Sequence, residues 1–128
     1  MNLLLDSHAF LWFIGGSASL SQRARELIED QENTKAVSIA SLWEIGVKIS
    51  LGRLSLAQPF EQMILEQMEL NGFRLLPLRI VHIAKVISLP FHHRDPFDRI
   101  LAAQCMTEEM SVVSVDPVFD KYSVRRLW

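Results

Sequence analysis

The sequence predicts an α/β fold: one domain spanning residues 1–128, three layers deep, with a mainly parallel five-stranded sheet and helices on both faces. Three observations carry that expectation. Short apolar runs such as Leu3-Leu4-Leu5 alternate with longer stretches of helical periodicity. A strand that is apolar at successive positions is buried on both faces, which is the habit of parallel sheets. Finally, 128 residues, of which 49% are hydrophobic and 22% charged, suffice for a single domain with a substantial core.

The elements follow in order. Leu3-Leu4-Leu5 reads as the first strand, ended by Asp6, and Ser7 to Phe13 as a short helix stopped by Gly15-Gly16. Ser21 caps a helix that runs to Glu29. Ala36-Val37-Ser38-Ile39 is the second strand. An amphipathic helix, Ser41 to Ser50, carries Leu42, Ile45 and Ile49 on one side, with Gly52 as its stop. Pro59 opens a helix from Phe60 to Leu70, closed by Asn71-Gly72, and Phe73 to Leu76 is the third strand. Ile80 to Ser88 is helical and ends before Pro90. The next helix, Asp95 to about Met106, has Asp95 as N-cap, Pro96 as its first residue and Asp98 at N3. Ser111 to Val115 is the fourth strand, Pro117 to Lys121 a helical turn, and Val124 to Leu127 the fifth strand.

Composition excludes several classes. A formal net charge of -2 does not mark a nucleic-acid binder, although an acidic metal site conceals any local basic patch in the total. The single Cys105 permits no internal disulfide and sits on an apolar helix stripe, which fits a reducing cytoplasm. Leu3-Leu4-Leu5 is too short for a signal-peptide core, and no apolar stretch reaches the length of a membrane span.

Acids stand out by position. Asp6 and Asp116 follow the first and fourth strands, Glu44 lies one turn into a helix, and Asp98 opens another. Each has an ordinary explanation. Asp6, Asp98 and Asp116 can cap helices, and Glu44 can pair with Lys48 four residues on. Ligands of open parallel sheets, however, bind beyond the carboxyl ends of the strands, where strand order reverses. Neighbouring first and fourth strands would bring Asp6 and Asp116 together. Converging carboxylates repel unless a cation joins them, and an oxygen-only donor set favours a hard ion, Mg2+ or Mn2+. One or two such ions would suit activation of water and in-line displacement at phosphorus.

With those residues in view, the chain resembles the PIN-domain family, specifically the VapC-type toxins of bacterial toxin–antitoxin pairs, nearly end to end. The resemblance rests on Leu3-Leu4-Leu5-Asp6-Ser7-His8-Ala9, on Ser41-Leu42-Trp43-Glu44-Ile45 with Lys48 and Gly52-Arg53-Leu54, and on Ser114-Val115-Asp116. Its most specific part is Leu89-Pro90-Phe91-His92-His93-Arg94-Asp95-Pro96-Phe97-Asp98-Arg99. The resemblance implies a PIN-like fold and an Mg2+- or Mn2+-dependent endoribonuclease inhibited by a cognate antitoxin. It further implies a homodimer that touches DNA only through the antitoxin. Carried over, the catalytic and metal-binding acids are Asp6, Glu44, Asp98 and Asp116, with none missing. Asp95 matches an extra acid, expected to support or cap. Ser114 stands where relatives often have Thr and would orient Asp116 or a water.

Lys48, Arg53, Arg94 and Arg99 are candidates for contacts to RNA phosphate, against the alternative of a solvated face or a salt bridge. His92-His93 is expected in a loop rather than on the metal, because hard-ion sites seldom need imidazole. Trp12, Phe13, Trp43 and Phe60 fall on helix patterns and are expected in the core or an interface, and Trp128 is expected to pack down. Two rival functions remain for comparison. A phospho-signalling receiver would need paired acids after the first strand and a Lys after the fifth, and this chain has neither. A catalytically weak PIN-like binding module, acting through a protein complex, is the alternative reading.

Overall fold

The apolar run at the start of the chain becomes the centre of the sheet. The structure, a computed structural model, describes residues 1–128. Its strands are β1 (Asn2–Leu5), β2 (Thr34–Ser38), β3 (Arg74–Leu76), β4 (Ser111–Val113) and β5 (Arg126–Leu127). They form one sheet in the order β3-β2-β1-β4-β5, with every pair parallel. Leu4 lies opposite Ala36 on one side and Val112 on the other.

Successive leucines of β1 divide between two cores, as the pleat requires. Leu3 and Leu5 join Phe10, Ile28, Val37 and Ile45 on one face, beneath α1 (Ser7–Ile14), α2 (Gln22–Glu29), α3 (Ile39–Ser50) and α4 (Phe60–Asn71). Leu4 faces the other way, towards Leu101, Ala102, Cys105 and Phe119. That second face is covered by α6 (Pro96–Glu108) and a 3-10 turn (Pro117–Lys121), with α5 (Ile80–Ser88) packed on α6. Ala102 and Ala103 are fully buried, so α6 approaches the sheet closely.

Strand order places the site. The chain builds β1, β2 and β3 outwards in one direction and then returns to lay β4 on the opposite side of β1. The reversal therefore falls between β1 and β4, and beyond their carboxyl ends stand Asp6 and Asp116. Sheets of this kind open a crevice at such a point.

Several boundaries differ from the sequence expectation for local reasons. Helix α3 begins at Ile39 rather than Ser41, because the buried Ser38 hydroxyl accepts from Ala40 N (3.1 Å) and caps the helix earlier. Strand β4 stops at Val113, where Ser114 Oγ accepts from Asp116 N (3.0 Å) and turns the chain. Strand β5 is shortened to two residues, since Val124 N folds back onto Tyr122 O (2.8 Å). Helix α6 runs on to Glu108 and ends at Glu109 in a left-handed conformation (φ 55°). Gly72 ends α4 with φ 69°, a backbone state that favours glycine.

Candidate functional site

Asp6 leaves the buried strand β1 and immediately caps α1, its Oδ1 accepting from Ala9 N at 2.8 Å. This is the ordinary capping role, yet the carboxyl also faces a cleft of about 500 Å3 at the strand ends. Glu44, Asp95, Asp98 and Asp116 line the same cleft. Five acids from four separate segments thus meet in one place, the four expected at a metal and the fifth expected beside them.

Each is positioned by a neighbour. Ser7 Oγ donates to Glu44 Oε1 (2.5 Å), joining the start of α1 to α3, while Lys48 Nζ lies 3.3 Å from Glu44 Oε2. Asp95 Oδ1 accepts from Phe97 N (2.8 Å) and Asp98 N (3.4 Å), so it caps α6 as the Asp-Pro pattern suggests. Asp116 Oδ1 caps the 3-10 turn through Val118 N (2.9 Å). Asp98 is not consumed by capping. Its Oδ2 lies 2.9 Å from His93 Nε2, and the candidate ligand atoms of His93, Asp98 and Asp116 all lie within 4.8 Å of one another.

The electrostatics show how crowded these groups are. Burial pushes the Asp98 carboxyl up to about 7, and the charges of Asp95 and Glu44 push the same way, while His93 opposes them. Asp6 is raised as well, chiefly by burial, with the Ser114 hydroxyl and Ala9 N–H pulling it back down. A group that holds its proton against the ordinary carboxylate range lacks positive charge, and a divalent cation supplies that charge. The donor set fits such an ion: carboxylate oxygens, with one imidazole nitrogen at their edge.

Other expected residues fall differently. Ser114 is fully buried beneath the acids, and Lys48 lines the cleft beside Glu44. Arg53 lies in an adjoining groove that shares Glu44, Lys48 and Asp95 with the cleft. Arg94 is exposed and lines a separate apolar hollow with Ile83 and Phe91. Arg99 contradicts its expectation as a phosphate contact. It is buried, its guanidinium donating to the carbonyls of Pro90 (2.9 Å), Val86 (3.1 Å) and Leu89 (3.3 Å) and lying 4.2 Å over the Phe91 ring. One turn after the cap, it points under the helix to tie down the preceding loop.

Some site residues were missed by sequence reasoning. His93 was expected in the loop, and its contact to Asp98 depends on how that loop folds back over α6. Ser7 carried a weak signal, as a hydroxyl next to a strand-ending acid. His8 and Trp12 also line the cleft; Trp12, expected in the core or an interface, is partly buried against the core and shows its remaining surface there. Trp43, expected in the core or an interface, is largely exposed and meets Phe97 edge-on at 5.3 Å.

Comparison with known proteins agrees with this architecture. The family model described as "PIN domain" matches residues 3–124. Among solved structures, the chain is similar to one in VapBC2 from Rickettsia felis bound to a DNA fragment of its promoter. The TM-score is 0.72 at 16% identity, covering 100% of this chain and 99% of that one. A chain of FitAcB from Neisseria gonorrhoeae gives 0.67 at 17% identity, covering 98% and 96%. A toxin–antitoxin complex from Klebsiella pneumoniae gives 0.61 at 15% identity, covering 90% and 87%. At such identities the likeness is one of fold. No curated protein matches the sequence.

Proposed function

The chain belongs to the PIN domain family, and from that premise we propose that it is the toxin of a toxin–antitoxin pair, a metal-dependent endoribonuclease. The observation that carries this reading is the meeting of Asp6, Glu44, Asp98 and Asp116 at the β1/β4 reversal, with the Asp98 proton affinity driven up by burial and then by the neighbouring acids Asp95 and Glu44. Asp6, Glu44, Asp98 and Asp116 hold the cation, Mg2+ or Mn2+. That cation supplies Lewis-acid activation of water and neutralises charge on the phosphodiester.

The chain's own residues do the rest. Ser7 fixes Glu44 by its short hydrogen bond, and Asp95 stiffens the first turn of α6 so that Asp98 projects at a set angle. Ser114 braces the turn that carries Asp116. Lys48 is the cleft's own cation and faces the substrate's phosphates, with Arg53 in the adjoining groove. Water as nucleophile leaves a 5′-phosphate and a 3′-hydroxyl, and it makes no use of the RNA 2′-hydroxyl.

The test is cleavage of a structured RNA pool with Mg2+ or Mn2+ and with chelator, beside Asp6→Asn and Asp98→Asn. Cuts that need metal, disappear in both variants and carry 5′-phosphate ends support the reading. Cyclic-phosphate products, or cuts that survive chelation, overturn it. Loss of toxicity in an Asp98→Asn protein that still folds and still binds its partner would count against a pure binding module.

The partners proposed are RNA as substrate and a cognate antitoxin protein as inhibitor, with two copies of this chain in the assembly. The solved complexes it resembles pair such chains with antitoxins, and some include DNA. We assign DNA contact to the antitoxin, since this chain is mildly acidic. No helix is long and apolar enough to cross a membrane. A cytoplasmic location is part of the proposal and suits the lone, buried Cys105, whose thiol burial pushes up to about 12.

A further inference from the structure

We propose that His8 and Trp12 form a stacking platform for an unpaired nucleobase of RNA, next to the phosphate held at the acids. The inference rests on the nuclease reading and names what the cleft recognises. His8 and Trp12 lie four residues apart on α1, so their rings project from one helix face. Their centroids are 5.3 Å apart and the planes are inclined by 27°, a stacked pair. Stacked pairs at this spacing are common on helix surfaces. This one stands in the wall of the acidic cleft, on the helix whose N-cap is Asp6.

Three further observations favour a base. Trp12 is braced from behind by Trp128, at 5.9 Å between centroids, and by the larger core. The Trp12 half of the platform is therefore held before any ligand arrives, and little entropy of that side chain is lost on binding. His8, by contrast, is exposed and lines the same cleft. The remaining lining is mostly acid, hydroxyl and imidazole, with Trp12 and Val115 as its apolar wall.

Charge supplies the other half of the argument. Lys48 is the one lysine or arginine among the lining residues, and Glu44 already neutralises it at 3.3 Å. An acidic cleft on a chain of net charge -2 gains little from counterion release, which usually drives RNA binding. Affinity must come from the bound cation and from contacts that do not depend on charge. Base–aromatic stacking is such a contact, and it tolerates any base because each has a π face. Bases inside a duplex have both faces covered, so the platform selects loops and single strands.

The probe is a short mixed-sequence single-stranded RNA containing 2-aminopurine, mixed with the full chain in Mg2+ and read before cleavage proceeds. Cleavage of the same RNA is followed in parallel. The expected result is quenching by the wild-type protein, binding weakened about tenfold or more in His8→Ala, near wild-type binding in His8→Phe, and no quenching with the base-paired form. Trp12→Leu, checked by thermal melting for a folded chain, should lose quenching as well. If His8→Ala binds and quenches like the wild type while the wild type cleaves RNA, the platform is wrong and the nuclease stands. If His8→Phe is as weak as His8→Ala, the ring's nitrogen atoms act rather than its face, and stacking is overturned. A wild type that neither binds nor cleaves removes the nuclease reading, and the platform falls with it.

Discussion

Asp98 concentrates the physics of the site in a single residue. It begins as an N3 acid, where the helix dipole would welcome a negative charge. Burial and the neighbouring Asp95 outweigh that welcome and lift its carboxyl to about 7. The consequence for stability has a definite sign. Between the ordinary carboxylate range and about 7, folded Asp98 keeps a proton that the unfolded chain has released, so folding loses stability as pH rises through that window. The metal-free protein should therefore melt at a lower temperature at pH 7.5 than at about pH 5. Asp98→Asn should flatten that dependence and stabilise the metal-free chain at neutral pH by on the order of 1–2 kcal/mol. Added Mg2+ should raise the wild-type melting temperature at neutral pH and leave the Asn variant nearly unmoved. Differential scanning calorimetry with and without chelator reads all of these. A pH-independent melting temperature in the metal-free wild type would show that Asp98 is not strained in this way.

At the scale of elements, the junction between α5 and α6 decides where His93 and Asp95 stand. Arg99 reaches back from α6 to hold three carbonyls at the end of α5 and the start of the following segment, and its contact to Phe91 closes the loop. A second clamp sits at the opposite ends of the two helices. His82 is fully buried, and its Nδ1 accepts from Arg79 N at 3.0 Å, which leaves Nε2 as the protonated nitrogen donating to Glu108 at 2.9 Å. That hydrogen bond, with Arg79 beside it, holds the Glu108 carboxyl below its ordinary range. Arg99→Met keeps much of the side-chain volume but strands carbonyls that Arg99 now satisfies. We expect a loss of about 2–4 kcal/mol in urea unfolding, together with weaker metal binding as the loop carrying His93 loosens. Unchanged stability would mean that water replaces the guanidinium without cost.

The whole molecule exposes an apolar face that its own fold does not cover. Along α5, Ile80 is 87% exposed, Ile83 53% and Ile87 81%, while His82 on the opposite side is fully buried. Spaced three and four residues apart, these isoleucines form one stripe, amphipathic in the reverse sense to a helix that faces its own core. A symmetric pair of copies, as in the proposed homodimer, would cover both stripes at once. Under the proposed homodimer, Ile83→Glu with Ile87→Glu should give monomers by sedimentation velocity without lowering the helical content. A double variant that remains dimeric would move the interface elsewhere.

Much of this was legible in the chain because it depends on short-range rules. Buried parallel strands announce themselves as unbroken apolar runs, and Asp6, Ser21, Asp95 and Asp116 cap the helices where their spacing to proline or to apolar periodicity says they should. Asp6, Asp98 and Asp116 were visible for the same reason, each marking the end of a strand or the start of a helix, whereas Glu44 lies within α3. What tertiary structure alone decided is which of these residues meet. The order β3-β2-β1-β4-β5 sets Asp6 beside Asp116, the fold of the loop before α6 turns His93 onto Asp98, and the packing of that loop draws Arg99 inwards. Trp12 follows a helical pattern that looks like core, yet α1 starts at the crevice and shows that ring to the acids. Sequence periodicity reports which face of an element is apolar. It carries no information about what lies opposite that face, because that is settled by contacts between residues far apart in the chain.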